Sequence, residues 1–99
     1  MLVKKRGKSV YNGYFKLKYL ENGGEFSCFS VIISAKISKK AVVRNKLRRQ
    51  SLEIIRLALD KIKPGYNVLI WPNNKALDLD YQLLETNLLA LFKRAFLLK

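Results

Sequence analysis

The sequence predicts an α/β chain of the α+β sandwich type: a mixed, mainly antiparallel sheet with two packed helices. Three observations predict it. Apolar and polar residues alternate with a period of two early in the chain. An amphipathic stretch of helical period fills residues 39–60. A short apolar strand separates that stretch from a second helical one that closes the chain. Ninety-nine residues, 49% of them apolar, are enough for one core.

The elements follow in order. Residues 1–8 are basic, show no period and read as an arm. From Ser9 to Leu20 the chain reads as extended. Phe15, Leu17 and Tyr19 alternate with Tyr14, Lys16 and Lys18, the two faces of a half-buried strand. Glu21–Glu25, ENGGE, reads as a hairpin turn, because Asn and Gly tolerate the positive φ such turns need. It would join the first strand to an antiparallel second one at Phe26–Ser34. The linker AKISKK leads to the helix at about 39–60. Tyr66–Trp71 is an apolar strand stopped by Pro72, with Trp71 expected in the core. The last helix runs from about Tyr81 to Leu97, with Asp78 or Asp80 as its N-cap. The first helix is long enough to be a crossover that makes its two flanking strands parallel, right-handed by the general rule. Nothing divides the chain, so residues 1–99 read as one domain.

Charge narrows the function. Twenty Lys and Arg stand against seven Asp and Glu, a net charge of +13. Such an excess repels itself in a compact fold, and an anionic partner relieves it. Nucleic acid is the first candidate; a membrane surface and acidic proteins come after it. No apolar run is long enough to span a bilayer, and MLVKKRGKS lacks the apolar core of a signal peptide. A cytoplasmic protein with no membrane partner is expected. The lone Cys28 cannot form an intrachain disulfide and, in its apolar surroundings, reads as a buried structural thiol.

The charge concentrates in KKAVVRNKLRRQ, residues 39–50, which holds six basic residues and no acid. Wound as a helix, it puts Val43, Leu47, Ile54, Leu57 and Ala58 in a core stripe, edged by the i, i+4 row Lys40, Arg44, Arg48. Leu52, Ile55 and Leu59 broaden the apolar face at the C-terminal end, which suggests burial on more than one side. Like charges at i, i+4, and cations near a helix N-terminus, both oppose helix formation. A phosphate backbone supplies the reason for them, since guanidinium groups grip phosphate oxygens in pairs. Lys36, Lys40, Arg44, Asn45, Lys46, Arg48 and Arg49 are the candidate nucleic-acid-binding residues. The Tyr14, Lys16, Lys18 face reads either as a solvent face or as a strip that holds a single strand by stacking and phosphate contact.

Catalysis by the chain itself is not expected. There is no histidine for acid–base work and no glycine-rich phosphate loop. Asp78 and Asp80 read as helix-start residues rather than metal ligands. No catalytic residue and no metal site are assigned. In the last helix, Leu84, Leu88, Leu91 and Ala95 form the core face, while Lys93, Arg94 and Lys99 extend the basic surface.

KAVVRNKLRR followed by LEIIR resembles the signature of the protein component of bacterial ribonuclease P. Arg44 and Asn45 match its Arg-Asn step. Lys46 stands where Arg is usual, Arg48 and Arg49 match the basic pair, and Glu53 and Arg56 match later positions. Leu52 replaces a usual Arg. GKSVYNGYFKLKYL resembles the family's first strand region, KPGYNVLIW its turn into a later strand, and LDYQLLETNLLALFKRA its closing helix. Two departures stand out. The family's N-terminal helix is expected to be absent here, and SAKISKK puts Ile37 and Lys39 where Lys and Gly are usual. The resemblance implies a left-handed βαβ crossover in place of the right-handed default. It also implies an accessory subunit with no cofactor of its own. Its partners would be the catalytic RNA, which brings magnesium and cleaves the 5′ leader from precursor tRNA, and the precursor tRNA itself. No protein partner is required. The nucleic acid at the candidate binding residues would then be RNA, and Tyr14, Lys16 and Lys18 would line the leader cleft. The alternative, open on charge and size alone, is a module for other structured RNA of the ribosomal or RNA-chaperone type.

Overall fold

The computed structural model describes residues 7–99. The arm expected at residues 1–8 falls outside this range up to Arg6, as does the expectation about a preceding helix, while Lys8 already belongs to a strand. Strands β1 (Lys8–Tyr11), β2 (Phe15–Glu21) and β3 (Cys28–Val31) are followed by helix α1 (Ala41–Leu57), strand β4 (Tyr66–Pro72) and helix α2 (Tyr81–Arg94). Short 3-10 turns at Leu59–Lys61 and Asn74–Asp78 flank β4. The four strands lie in the order β1-β2-β4-β3, antiparallel except for the β3–β4 pair. The crossover through α1 thus joins adjacent parallel strands.

Two corrections concern turns. Ser9–Leu20 is not one extended run: Asn12-Gly13 breaks it into the β1–β2 hairpin. Gly13 takes φ 91°, and the Asn12 side chain accepts from the N–H groups of Tyr14 and Phe15. Nor does ENGGE join paired strands. β4 lies between β2 and β3, because Val68, Leu69 and Ile70 are all buried and a strand apolar on both faces belongs inside the sheet. Asn22 shapes the intervening loop into a strap over the start of β4. Its amide donates to the Phe26 carbonyl and to Asn67 Oδ1, and its N–H donates to the Gly65 carbonyl. A Cβ on Gly65 would stand 2.9 Å from the Gly24 carbonyl oxygen, so only glycine fits beneath the strap.

Both helices pack on one sheet face. Phe15, Leu17, Val31, Val68 and Ile70 from the strands meet Leu47, Ile54 and Ile55 of α1 and Leu84, Leu88, Leu91 and Phe92 of α2. Leu84, Leu88, Leu91 and Ala95 are buried as their spacing predicts. Asp80, not Asp78, is the N-cap, its carboxylate accepting from the Leu83 N–H at 2.8 Å.

The α1 stripe differs from the expected one. Leu47, Ser51, Ile54, Ile55 and Ala58 are buried, Val43 is half-buried, and Leu57 is 56% exposed. Leu52 and Leu59 are exposed too, so the C-terminal end of α1 is buried on one side only. Ser51, small and fully buried, lies within the stripe. Cys28 is exposed rather than buried, because β3 is an edge strand and its first residue lies at the rim.

Candidate nucleic-acid interface

α1 begins against the rules of helix capping. Its N-cap is Lys40, with no side-chain cap and no acid in the first turn. The chain entering it is shaped by serines instead: Ser34 Oγ accepts from the Lys36 N–H, and Ser38 Oγ from the Lys40 N–H. Lys36, Lys40, Asn45, Lys46 and Arg49 are exposed, and Arg44 and Arg48 are half-buried. Those two arginines lean on the crossover. Arg44 Nη1 donates to the Ser38 carbonyl at 2.7 Å, and Arg48 Nε to the Val31 carbonyl at 3.4 Å. The Arg48 Nη1 group donates to Asn45 Oδ1 at 3.2 Å, which engages the Asn45 acceptor and leaves its amide N–H groups as the donors it can offer a ligand.

Two hollows adjoin this surface. One, about 460 Å³, is outlined by Val42, Asn45, Arg48 and Arg49: an apolar residue, an amide and two guanidinium groups. The other, about 420 Å³, lies between α1 and the start of α2, with Lys46 and Gln50 on one wall and Asp80 and Tyr81 on the other. The Tyr81 phenol is raised above its usual range, first by burial and then by the charges of Glu53 and Glu85, with Arg56 acting against them. Cations beside apolar and amide groups suit a phosphate with an attached sugar or base better than a bare anion.

The sheet face away from the helices is the second surface. Directly paired residues share a face, so the register puts Tyr11, Lys16 and Trp71 in one row and Ser9, Lys18, Leu69 and Ser30 in the next. Lys16 Nζ lies 5.6 Å from the centre of the Trp71 ring, a cation–π contact. Trp71 is therefore a surface aromatic of this face rather than a core residue. Its parity along β4, opposite that of Val68 and Ile70, decides this. Tyr14 sits in the turn before β2, half-buried and packed against the core, while Lys16 and Lys18 occupy the face itself. Trp71 and Tyr11 are thus the aromatics that the structure brings beside Lys16. Sequence reading missed both, although an Asn-Gly hairpin at residues 12–13 would have set Tyr11 opposite Lys16.

The family model described as Ribonuclease P matches residues 2–96. The chain belongs to the ribonuclease P protein family. It is 38% identical over 94 residues to the ribonuclease P protein component of Clostridium botulinum, covering 94% of this chain and 84% of that protein. The RNase P protein from Thermotoga maritima, solved with 1-(4-fluorophenyl)-2-thiourea, superposes with a TM-score of 0.88 at 33% identity, covering 94% of this chain and 90% of the other. The Staphylococcus aureus RNase P protein, at 22% identity and a TM-score of 0.89, shares the fold. Among the described residues no helix is long and apolar enough to cross a membrane, and no cluster of three metal-ligating side chains forms.

Proposed function

We propose that this chain is the non-catalytic protein subunit of a ribonuclease P ribonucleoprotein. It binds the catalytic RNA through Lys36, Lys40, Arg44, Asn45, Lys46, Arg48 and Arg49, and holds the 5′ leader of precursor tRNA on the sheet face of Lys16 and Lys18. The observation that carries the reading is the uncapped, acid-free N-terminal half of α1, whose exposed cations oppose their own helix and suit a phosphate backbone. The RNA, with its magnesium, carries out hydrolysis. The protein contributes charge neutralisation and positioning, in the cytoplasm where precursor tRNA is made. On the sheet face, Trp71 offers the ring on which a leader base would stack, and Lys16 and Lys18 the charge for its phosphates. Tyr14 borders this strip from the turn.

Cleavage of precursor tRNA at low magnesium tests the reading. Catalytic RNA alone should be slow, the protein should restore the rate, and RNA-free protein should not cut at all. Activity of the purified protein without RNA, or no stimulation of the RNA, would refute it. No stimulation despite tight binding to other structured RNA would instead identify a general RNA-binding module. Within the holoenzyme, Trp71→Ala should weaken precursor tRNA by about 5- to 100-fold, from about 1–3 kcal/mol per stacked base, and leave mature tRNA nearly unaffected. Tyr14→Ala should do less.

A further inference from the structure

The end of α2 holds a residue in a conformation its side chain disfavours. Phe96 has φ 59°, the left-handed region that glycine normally fills at this position of a helix end. The turn itself is needed. The Phe96 N–H donates to the Lys93 carbonyl and the Leu97 N–H to the Phe92 carbonyl, and the reversal delivers Leu97 into the core. A glycine would make the same turn without the clash between Cβ and backbone. The sequence instead places a phenyl ring there, and the ring is 79% exposed. Folding gains little from it.

The backbone that carries the ring is also held in place. The chain after it is pinned alongside residues 61–63: the Lys63 N–H donates to the Leu97 carbonyl at 2.7 Å and the Lys99 N–H to the Lys61 carbonyl at 2.8 Å. An exposed aromatic on a held backbone has only its two side-chain torsions to lose on binding. Lys61, Lys63, Lys93 and Lys99, all exposed, belong to the same segments, which hold no acid, while Arg94 donates from Nη1 to the Tyr11 carbonyl at 2.8 Å. A second copy of this chain, itself at +13, is a poor occupant for such a surface. An unpaired nucleotide segment is a good one, because its base stacks on the ring and its phosphates meet the cations.

We infer that Phe96, with the cations around it, is a second RNA-binding point that takes an unpaired base of the catalytic RNA. This rests on the function proposed above. α1 is itself roughly 25 Å long at 1.5 Å rise per residue, and residues 61–63, to which the chain after Phe96 is bonded, follow the end of it opposite Lys40. A large folded RNA can touch both ends at once, so the protein would bridge two of its segments.

Binding of the full-length catalytic RNA, without tRNA, to parent, Phe96→Gly and Phe96→Trp proteins tests the inference, alongside thermal unfolding of each free protein. Phe96→Gly should raise Tm by roughly 4 °C through relief of strain, yet weaken RNA binding by about 5- to 100-fold through loss of stacking. Phe96→Trp should bind like the parent. A merely structural ring would move stability and affinity together. Higher Tm with unchanged affinity would overturn the inference while leaving the subunit reading intact. A lower Tm would also overturn it, by showing that the ring stabilises the fold. Loss of a concentration-dependent dimer in Phe96→Gly, with RNA affinity unchanged, would assign the ring to self-association instead. Failure of the parent itself to bind the RNA would sink both readings.

Discussion

Helix α2 is capped by Asp80, carries Lys93 and Arg94 in its last turn, and buries Leu84, Leu88, Leu91 and Phe92 against the sheet. Helix α1 starts at Lys40 with no side-chain cap and no acid in its first turn, and exposes four basic residues, Lys46, Arg49 and Arg56 within it and Lys40 at its start. The macrodipole favours cations where α2 has them and disfavours them where α1 has them. Tertiary packing of Leu47, Ile54 and Ile55 holds α1 in place despite this. The difference teaches where to look for function. A helix start that obeys the capping rules is explained by folding alone, while one that lacks a cap and gathers cations against its own dipole needs a partner to explain it.

The two helices should therefore respond oppositely to substitution. Leu88→Ala, at a fully buried position of α2, should cost about 2–5 kcal/mol of stability. Affinity for the catalytic RNA, corrected for folded fraction, should not change. Arg49→Ala should leave stability within about 0.5 kcal/mol but lower the slope of log K against log salt by roughly 0.7–0.9. Arg44→Ala and Arg48→Ala should do some of both, since each side chain also ties α1 to a crossover carbonyl. Denaturant unfolding and RNA titrations across salt decide the matter. An Arg49→Ala protein that unfolds early and keeps its salt slope would place α1 in the same class as α2.

A smaller effect probes the cap itself. Lys40→Asp gives α1 the cap it lacks and should stabilise the protein by about 0.5–2 kcal/mol. The same change should weaken RNA binding. Asp80→Ala removes the cap of α2 and should destabilise by about 1 kcal/mol with no change in RNA affinity. If Lys40→Asp raised stability and RNA affinity together, the uncapped start would have no connection with RNA.

Much of this contrast was legible in the sequence. The spacing of Leu84, Leu88, Leu91 and Ala95 fixes the buried side of α2, because a 3.6-residue period leaves one solution. Acid-free KKAVVRNKLRRQ marks α1 as basic whatever it packs on. The strand pairing was less legible, because it depends on long-range partners. ENGGE carries as good a turn signal as Asn12-Gly13, and only the burial of Leu69 together with Val68 and Ile70 puts β4 inside the sheet. Trp71 shows the same limit. A short apolar run does not say which of its residues face the helices, and the register with Lys16 does. The exposure of Leu57 has a related reason. A stripe drawn from apolar residues passes over the polar Ser51, whose small side chain lies at the centre of the buried one.

Ser51 yields the last and smallest test. Its side chain is fully buried and its hydroxyl has no hydrogen-bond partner. An unpaired buried hydroxyl costs free energy on folding, because the hydrogen bonds it makes with water in the unfolded chain are not replaced. Ser51→Ala keeps the small volume, removes the orphaned group and improves helix propensity by up to about 0.5 kcal/mol. The variant should be more stable by about 0.5–1 kcal/mol, or roughly 2–8 °C in Tm for a domain of this size. RNA binding should be unaffected, because the residue faces the sheet and not the basic surface. Ser51→Val separates fit from polarity: if the helix sits as close to the sheet as the small residue suggests, the larger apolar side chain should overpack and destabilise. Stabilisation by both would show a loose interface in which volume is free. Destabilisation by alanine would mean that the hydroxyl is paired after all, and that the centre of the α1 stripe is held by a polar contact, unlike the leucine ladder of α2.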